Sequence, residues 1–176
     1  MKRIVAAFLL CIITAANGAN FSQDEIHAKE YAFKAAFLFR FIEYIDWKNN
    51  NDPGTFNIAV LGKSPIIPQL NIIAAEQRAK NKKLVVKEYK NLDDVESCYI
   101  LFVPEDCPYT IEAIASKFAG KPVLIVSEKE DYVKKGAHIN FNISEGKLKF
   151  EINLKAVDKA GIKISSQLLQ HAVIIE

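Results

Sequence analysis

The chain has 176 residues, enough for one domain with a substantial apolar core, and half of its residues are hydrophobic. Its 23 basic and 21 acidic side chains almost cancel, and the small excess sits in the first three residues, Lys2 and Arg3. A chain near neutrality with lysines and glutamates interspersed carries no electrostatic footprint for nucleic acid or an anionic membrane.

Residues 1–19, MKRIVAAFLLCIITAANGA, have the layout of an export signal. Lys2 and Arg3 form a charged start, Ile4 to Ile13 an apolar run, and Ala16-Asn17-Gly18 a small-residue cleavage region. The apolar run is too short to span a bilayer. Cys11 follows Leu10, not the small residue of a lipoprotein signal, so the expected product is a free periplasmic protein of residues 20–176 with no direct membrane insertion.

The next segment, Phe21 to Trp47, opens on Ser22-Gln23-Asp24-Glu25, a capping box in which Ser22 and Glu25 would satisfy backbone N–H groups reciprocally. Apolar residues then recur at helical spacing through Ile26, Phe33, Phe37, Phe41 and Tyr44, with Leu38, Ile42 and Ile45 widening the surface. Such a helix is buried on more than one side or meets a partner. The stripe Phe33, Phe37, Phe41 reads as core. Asn49-Asn50-Asn51-Asp52-Pro53-Gly54 is a break.

Short apolar runs then alternate with helical patterns. Phe56 to Leu61 reads as a strand closed by Gly62, Ile66 to Lys80 as a helix with Leu70, Ile73 and Ala74 inward, Leu84 to Tyr89 as a second strand. Cys98 to Val103 is the third, Thr110 to Phe118 a helix, and Pro122 to Val126 the fourth strand. Near-continuous apolar strands separated by helices predict a single α/β domain with a mostly parallel sheet covered on both faces. Ile139, Phe141 and Ile143 alternate with His138, Asn140 and Asn142, and Leu148, Phe150 and Ile152 with Lys147 and Lys149. With Ser144-Glu145-Gly146 as the turn, this predicts a C-terminal β-hairpin with one apolar and one polar face. Gly136 permits the turn into it, and Asn153, at the strand-to-helix junction, is expected to hydrogen-bond backbone or to cap the segment Leu154 to Lys159. Ser165 or Ser166 caps a last helix, Gln167 to Ala172.

Chemistry is sparse. Gly62-Lys63-Ser64 follows a strand but lacks the upstream glycine of a phosphate loop, and Pro65 follows directly. His27, His138 and His171 have no metal-ligand spacing and read as surface or rim residues. Asp131, Asp158 and Glu151 read as solvated carboxylates. No nucleophile–base pair stands out, so neither a catalytic set, a cofactor site nor a metal site is expected. Cys98 opens a strand that moves away at about 3.3 Å per residue, and Cys107 follows too soon to return within the roughly 7 Å a disulfide needs. A buried reduced Cys98 and a surface Cys107 are expected. The strand ends near Gly62 and Pro104 are where open α/β sheets place ligands.

Three segments in order resemble the YfiR family of small exported bacterial proteins. They are Lys34-Ala35-Ala36-Phe37-Leu38 through Ile42 to Trp47; Phe56 to Gly62 with Cys98 to Val103; and Gly136, Ile139 and Phe141, then Phe150-Glu151-Ile152-Asn153, Ala156, Gly161, Ile164 to Leu169 and Ala172. The resemblance covers essentially the whole chain after the leader. It implies a Rossmann-like three-layer α/β sandwich. It also implies a non-catalytic periplasmic repressor that binds the periplasmic sensor domain of a membrane-bound diguanylate cyclase, and a homodimer. Aromatic groups of the first helix, Tyr31, Phe39, Tyr44 and Trp47, are the candidate anchors for that partner, with burial in the core as the equal alternative. The competing function is a periplasmic small-ligand binding module feeding a sensor kinase or transporter.

Overall fold

A computed structural model describes residues 23–47 and 54–175. The leader, Ser22 of the capping box and most of the Asn49–Gly54 break lie outside the described residues. The elements are α1 (Gln23–Tyr44), β1 (Ile45–Trp47), β2 (Thr55–Leu61), α2 (Ile66–Glu76), β3 (Arg78–Ala79), β4 (Lys82–Tyr89), β5 (Ile100–Val103), α3 (Ile111–Lys117), β6 (Leu124–Ser127), α4 (Tyr132–Lys135), β7 (Ile139–Ser144), β8 (Lys147–Asn153), α5 (Leu154–Lys159), β9 (Ile162–Ile164), α6 (Ser166–Leu169) and β10 (Val173–Ile175).

Eight strands form one sheet in the order β10-β8-β7-β6-β5-β2-β4-β3. From β4 to β7 every neighbouring pair is parallel; β8 returns antiparallel beside β7, β10 lies parallel to β8, and β3 is antiparallel to β4. The chain starts in the middle at β2, moves out to β4, then crosses to β5 on the other side. Strand order therefore reverses between β2 and β5. The expected α/β class and mostly parallel sheet with a C-terminal hairpin are present. Side chains of β2, β5 and β6 alternate between two buried clusters. One holds Ile58, Val60, Ile100, Phe102, Leu124 and Val126 with Leu38, Phe41 and Leu70 from α1 and α2. The other holds Ala59, Leu61, Leu101, Val103 and Ile125 with Ile111, Ile114 and Phe118 from α3 and its end. That two-sided burial is why these strands read as unbroken apolar runs.

Three local expectations change. The first helix stops at Tyr44, and Ile45-Asp46-Trp47 becomes a strand, buried–exposed–buried, paired antiparallel with Ile162–Ile164. Its partner is more than a hundred residues away in the chain, so local periodicity could not show it. The second helix ends at Glu76 because Arg78–Ala79 fold back on Lys82–Lys83 through Lys80 and Asn81, both at positive φ. The polar face of the hairpin is not solvated at its start. β7 is an interior strand, so His138 and Asn140 are 6% and 1% exposed.

Turn and cap chemistry is as read. Ser144 pairs with Lys147 across a two-residue loop, Glu145-Gly146, with both residues at positive φ. Asn153 Oδ1 accepts from Ala156 N at 2.9 Å to cap α5, while its Nδ2 donates to the Val133 carbonyl at 2.8 Å. Ser165 Oγ accepts from Leu168 N to cap α6. Gly136 closes α4 at φ +132°, and a Cβ there would stand 3.1 Å from the Ala115 Cβ. Gly146 is left-handed too (φ +69°) but has open space around it. Gly136→Ala should therefore destabilise by about 1–3 kcal/mol, and by more than Gly146→Ala, whose strain is conformational alone. Urea unfolding of the two variants, followed by the fluorescence of the single tryptophan, measures the difference.

Candidate binding sites

The apolar face of the hairpin lies under α1. Phe41 stacks on Phe141 at 5.8 Å and meets Phe150 edge-on at 5.1 Å, and Phe37 touches both hairpin rings. This contact uses the C-terminal half of α1. The N-terminal half runs out beside the hairpin tip, where Ile26 and Phe33 are each 52% exposed and Ile143 58%. With Phe37 and Leu148 they line a groove of about 700 Å³ rimmed by Glu25, Lys29, Glu30 and Lys147. Phe33, expected in the core, is thus a surface residue: it lies on the side of α1 that extends beyond the sheet.

Two of the four aromatic residues expected to anchor a partner are buried instead. Trp47 sits edge-on to both Phe56 and Tyr99, and its Nε1 donates to the Tyr99 carbonyl at 3.1 Å. Tyr31 is 7% exposed and its hydroxyl donates to Glu128 Oε1 at 3.0 Å. Phe39 and Tyr44 are half-buried against the main core, and Arg40 lies 5.6 Å over the Tyr44 ring. Gly62 ends β2 at φ +107° with its N–H donating to the Tyr89 carbonyl at 2.8 Å, a strand-end turn.

At the carboxyl ends of β5 and β6 the structure assembles polar groups that were read separately. Glu128, directly after β6, accepts from Lys34 Nζ at 2.6 Å, from Tyr31 and from the Glu105 N–H at 3.3 Å. Glu30 also reaches Lys34, at 2.5 Å. Lys34 is 6% exposed. Burial, then the neighbouring Glu128 charge, pushes the Tyr31 hydroxyl pKa up, so it remains a donor. Lys34 was missed as a site residue; its signal is a cation in the stripe Tyr31, Lys34, Ala35, Leu38, Phe41, where only a partnered charge is tolerated. Beyond Glu128 lies a cavity of about 480 Å³ between this centre and the hairpin's polar face, also lined by Asp131 and Glu151. These two carboxylates, expected on separate solvated faces, share one wall because α4 packs across the hairpin. Asp131 is held below the usual carboxylate range by Lys134, 2.6 Å away. The cavity opens one strand further along the sheet than the cleft expected between Gly62 and Pro104, neither of which lines it.

His138 is a core residue, not a rim one: its Nδ1 accepts from the Ile125 N–H at 2.9 Å, and burial lowers its pKa to about 4. Cys98 and Cys107 are free thiols and both are buried. The surface position expected for Cys107 is corrected, since the turn after Pro104 folds it under α3 beside Val103 and Ile111. Burial pushes the Cys98 thiol up to about 12 and raises the Cys107 thiol as well, so both shifts favour the protonated form.

A helix-covered, mostly parallel sheet bearing an apolar groove and an acceptor-rich cavity makes this an α/β domain. The sequence pattern of the YfiR/HmsC-like family matches residues 31–173, and the chain belongs to that family. Among solved structures, the chain is similar to a conserved domain protein from Vibrio cholerae O1 biovar El Tor strain N16961. Identity is 14% and the TM-score 0.53, over 83% of this chain and 60% of that one. The chain thus spans about three fifths of that structure's length, and at this identity the likeness carries the fold alone. No curated protein matches the chain. Among the described residues no helix is long and apolar enough to cross a membrane.

Two measurements follow from the buried titratable groups. The unfolded chain takes up the His138 proton near pH 6.5, the folded chain only near 4. The stabilisation is therefore complete above 6.5 and is lost as pH falls toward 4, by up to about 3 kcal/mol. Urea midpoints at pH 7 and 4.5 should show this loss, and His138→Gln should shrink the difference between them. Both cysteines should react with a colorimetric disulfide reagent at a rate set by unfolding, and at once in denaturant; fast labelling of native protein contradicts their burial.

Proposed function

We propose that this chain is exported by residues 1–19 and represses a membrane-bound diguanylate cyclase-like sensor enzyme by binding its periplasmic domain. Membership of the YfiR/HmsC-like family supports the regulatory part of this reading. The observation that carries the docking part is the groove in which Ile26, Phe33 and Ile143 stand more than half exposed together. Clustered apolar exposure of this kind marks an interaction surface, and an aromatic ring at its centre supplies an anchor. Phe33 takes the role first assigned to Tyr31 and Trp47. The mixed rim of Glu25, Glu30, Lys29 and Lys147 would set orientation and not net attraction. We take the frame as a Rossmann-like three-layer sandwich, which the two apolar clusters on opposite faces of β2, β5 and β6 support.

A small-ligand binding module feeding a sensor kinase or transporter is the second reading, favoured by the cavity at the ends of β5 and β6.

Because Phe33 is exposed, Phe33→Asp should leave the melting temperature unchanged. It should weaken binding to the cyclase's periplasmic domain by about 2 kcal/mol or more, roughly thirtyfold, and raise cellular cyclic-di-GMP. If the variant binds as tightly as the parent chain in calorimetry, the groove is not the docking surface. If deletion of the protein leaves cyclic-di-GMP unchanged, the repressor reading fails as a whole.

A further inference from the structure

The cavity beside Glu128 is unbalanced in charge and in hydrogen bonding. Of its five carboxylates, Glu128 is answered by Lys34 and Asp131 by Lys134. Glu105, Glu130 and Glu151 take part in no ion pair among the described residues. One wall is the polar face of the hairpin, where Asn140 and Asn142 stand two residues apart and so point the same way, with Glu151 directly across from Asn140 on β8. Both side-chain carbonyl oxygens are buried and lack a hydrogen-bond partner. Asn140 is 1% exposed, and its Nδ2 donates to the Phe141 carbonyl at 3.1 Å, which sets the amide's orientation and leaves Oδ1 without a donor. A buried acceptor left unmade is unfavourable, and two in one wall of a charged cavity point to a group that brings donors.

A group that fits is cationic and carries several N–H donors, to reach amide oxygens as well. The charge is called for because Glu105, Glu130 and Glu151 make no ion pair among the described residues, and Lys134, already paired with Asp131, reaches Glu130 and Glu151 only at longer range. An anion fits neither requirement. Among the described residues no cluster of three or more His, Cys, Asp or Glu side chains is placed to hold a metal ion. A guanidinium or alkylammonium group meets both requirements, because each N–H of a delocalised or tetrahedral cation makes a charge-assisted bond to carboxylate or carbonyl oxygen. The volume of about 480 Å³ admits a small molecule or one long side chain.

We propose that this cavity binds a guanidinium or alkylammonium group, held on the hairpin wall by Glu151 and the amide oxygens of Asn140 and Asn142, and by Glu130 from the segment that leads into α4. The site is separate from the apolar groove and independent of whether the partner is a cyclase.

The test is calorimetric titration of the full chain with agmatine, a free cation bearing both groups, and with N-acetyl-arginine amide, which presents guanidinium as a protein partner would. Binding of either supports the site; the tighter probe tells a free amine from a partner's arginine. Glu151→Gln and Asn142→Leu, neither fully buried, should each weaken the better probe about tenfold, as expected for one charge-assisted or one buried hydrogen bond, with an unchanged melting temperature. Absence of binding by both probes at 10 mM overturns the proposal. So does binding that both variants leave untouched, or calcium binding tighter than either probe.

Discussion

The packing of α1 across the hairpin shapes both the apolar groove and the acidic cavity. Phe37 and Phe41 meet Phe141 and Phe150 in a four-ring cluster, and ring pairs of this kind add about 0.5–1.5 kcal/mol each beyond the area they bury. Because side chains alternate along β7, committing Phe141 to α1 turns Asn140 and Asn142 to the opposite side, toward α4 and the acidic cavity. The same commitment leaves the N-terminal half of α1 and the hairpin tip uncovered by the other described residues, which is the origin of the apolar groove. A one-residue slip in the hairpin would abolish both.

The Lys34–Glu128 pair sets where α1 stops sliding. Both side chains are nearly dewatered, at 7% and 3% exposure. A buried ion pair adds little net stability over an apolar pair of the same shape, yet removing one partner strands a buried charge. The Tyr31 hydroxyl and the Glu105 N–H complete the acceptor set of Glu128. This arrangement specifies one register of helix on sheet, and it ties the wall of the acidic cavity to the helix that carries the groove. Binding at either place therefore acts on a shared element, the physical prerequisite for one occupant to influence the other.

Within the reading of this YfiR/HmsC-like chain as a regulator proposed above, the buried thiols also bear on how it is controlled. Cys98 and Cys107 are both in the cluster under α3, and neither thiolate is accessible without opening that layer. Control through contact at the groove or the cavity asks for no such opening.

Much of the frame was legible in the chain. Unbroken apolar runs at β2, β5 and β6, the Glu145-Gly146 turn, and the caps at Asn153 and Ser165 depend on neighbours within a few residues, and their physics is local. The α/β class and the hairpin follow from that. What the chain could not disclose depends on partners far away in sequence. Trp47 is a strand residue because of Ile162, and His138 is buried because β7 lies inside the sheet. Which apolar side chains of α1 face water was equally hidden: Tyr31 and Phe33 lie on different sides of a helix that is apolar nearly all round, and only the sheet beneath decides which side is covered. Glu105, Glu128, Asn140 and Glu151 come to line a single cavity for the same reason. Periodicity determines which side of an element is apolar; only the assembled layers determine what that side meets.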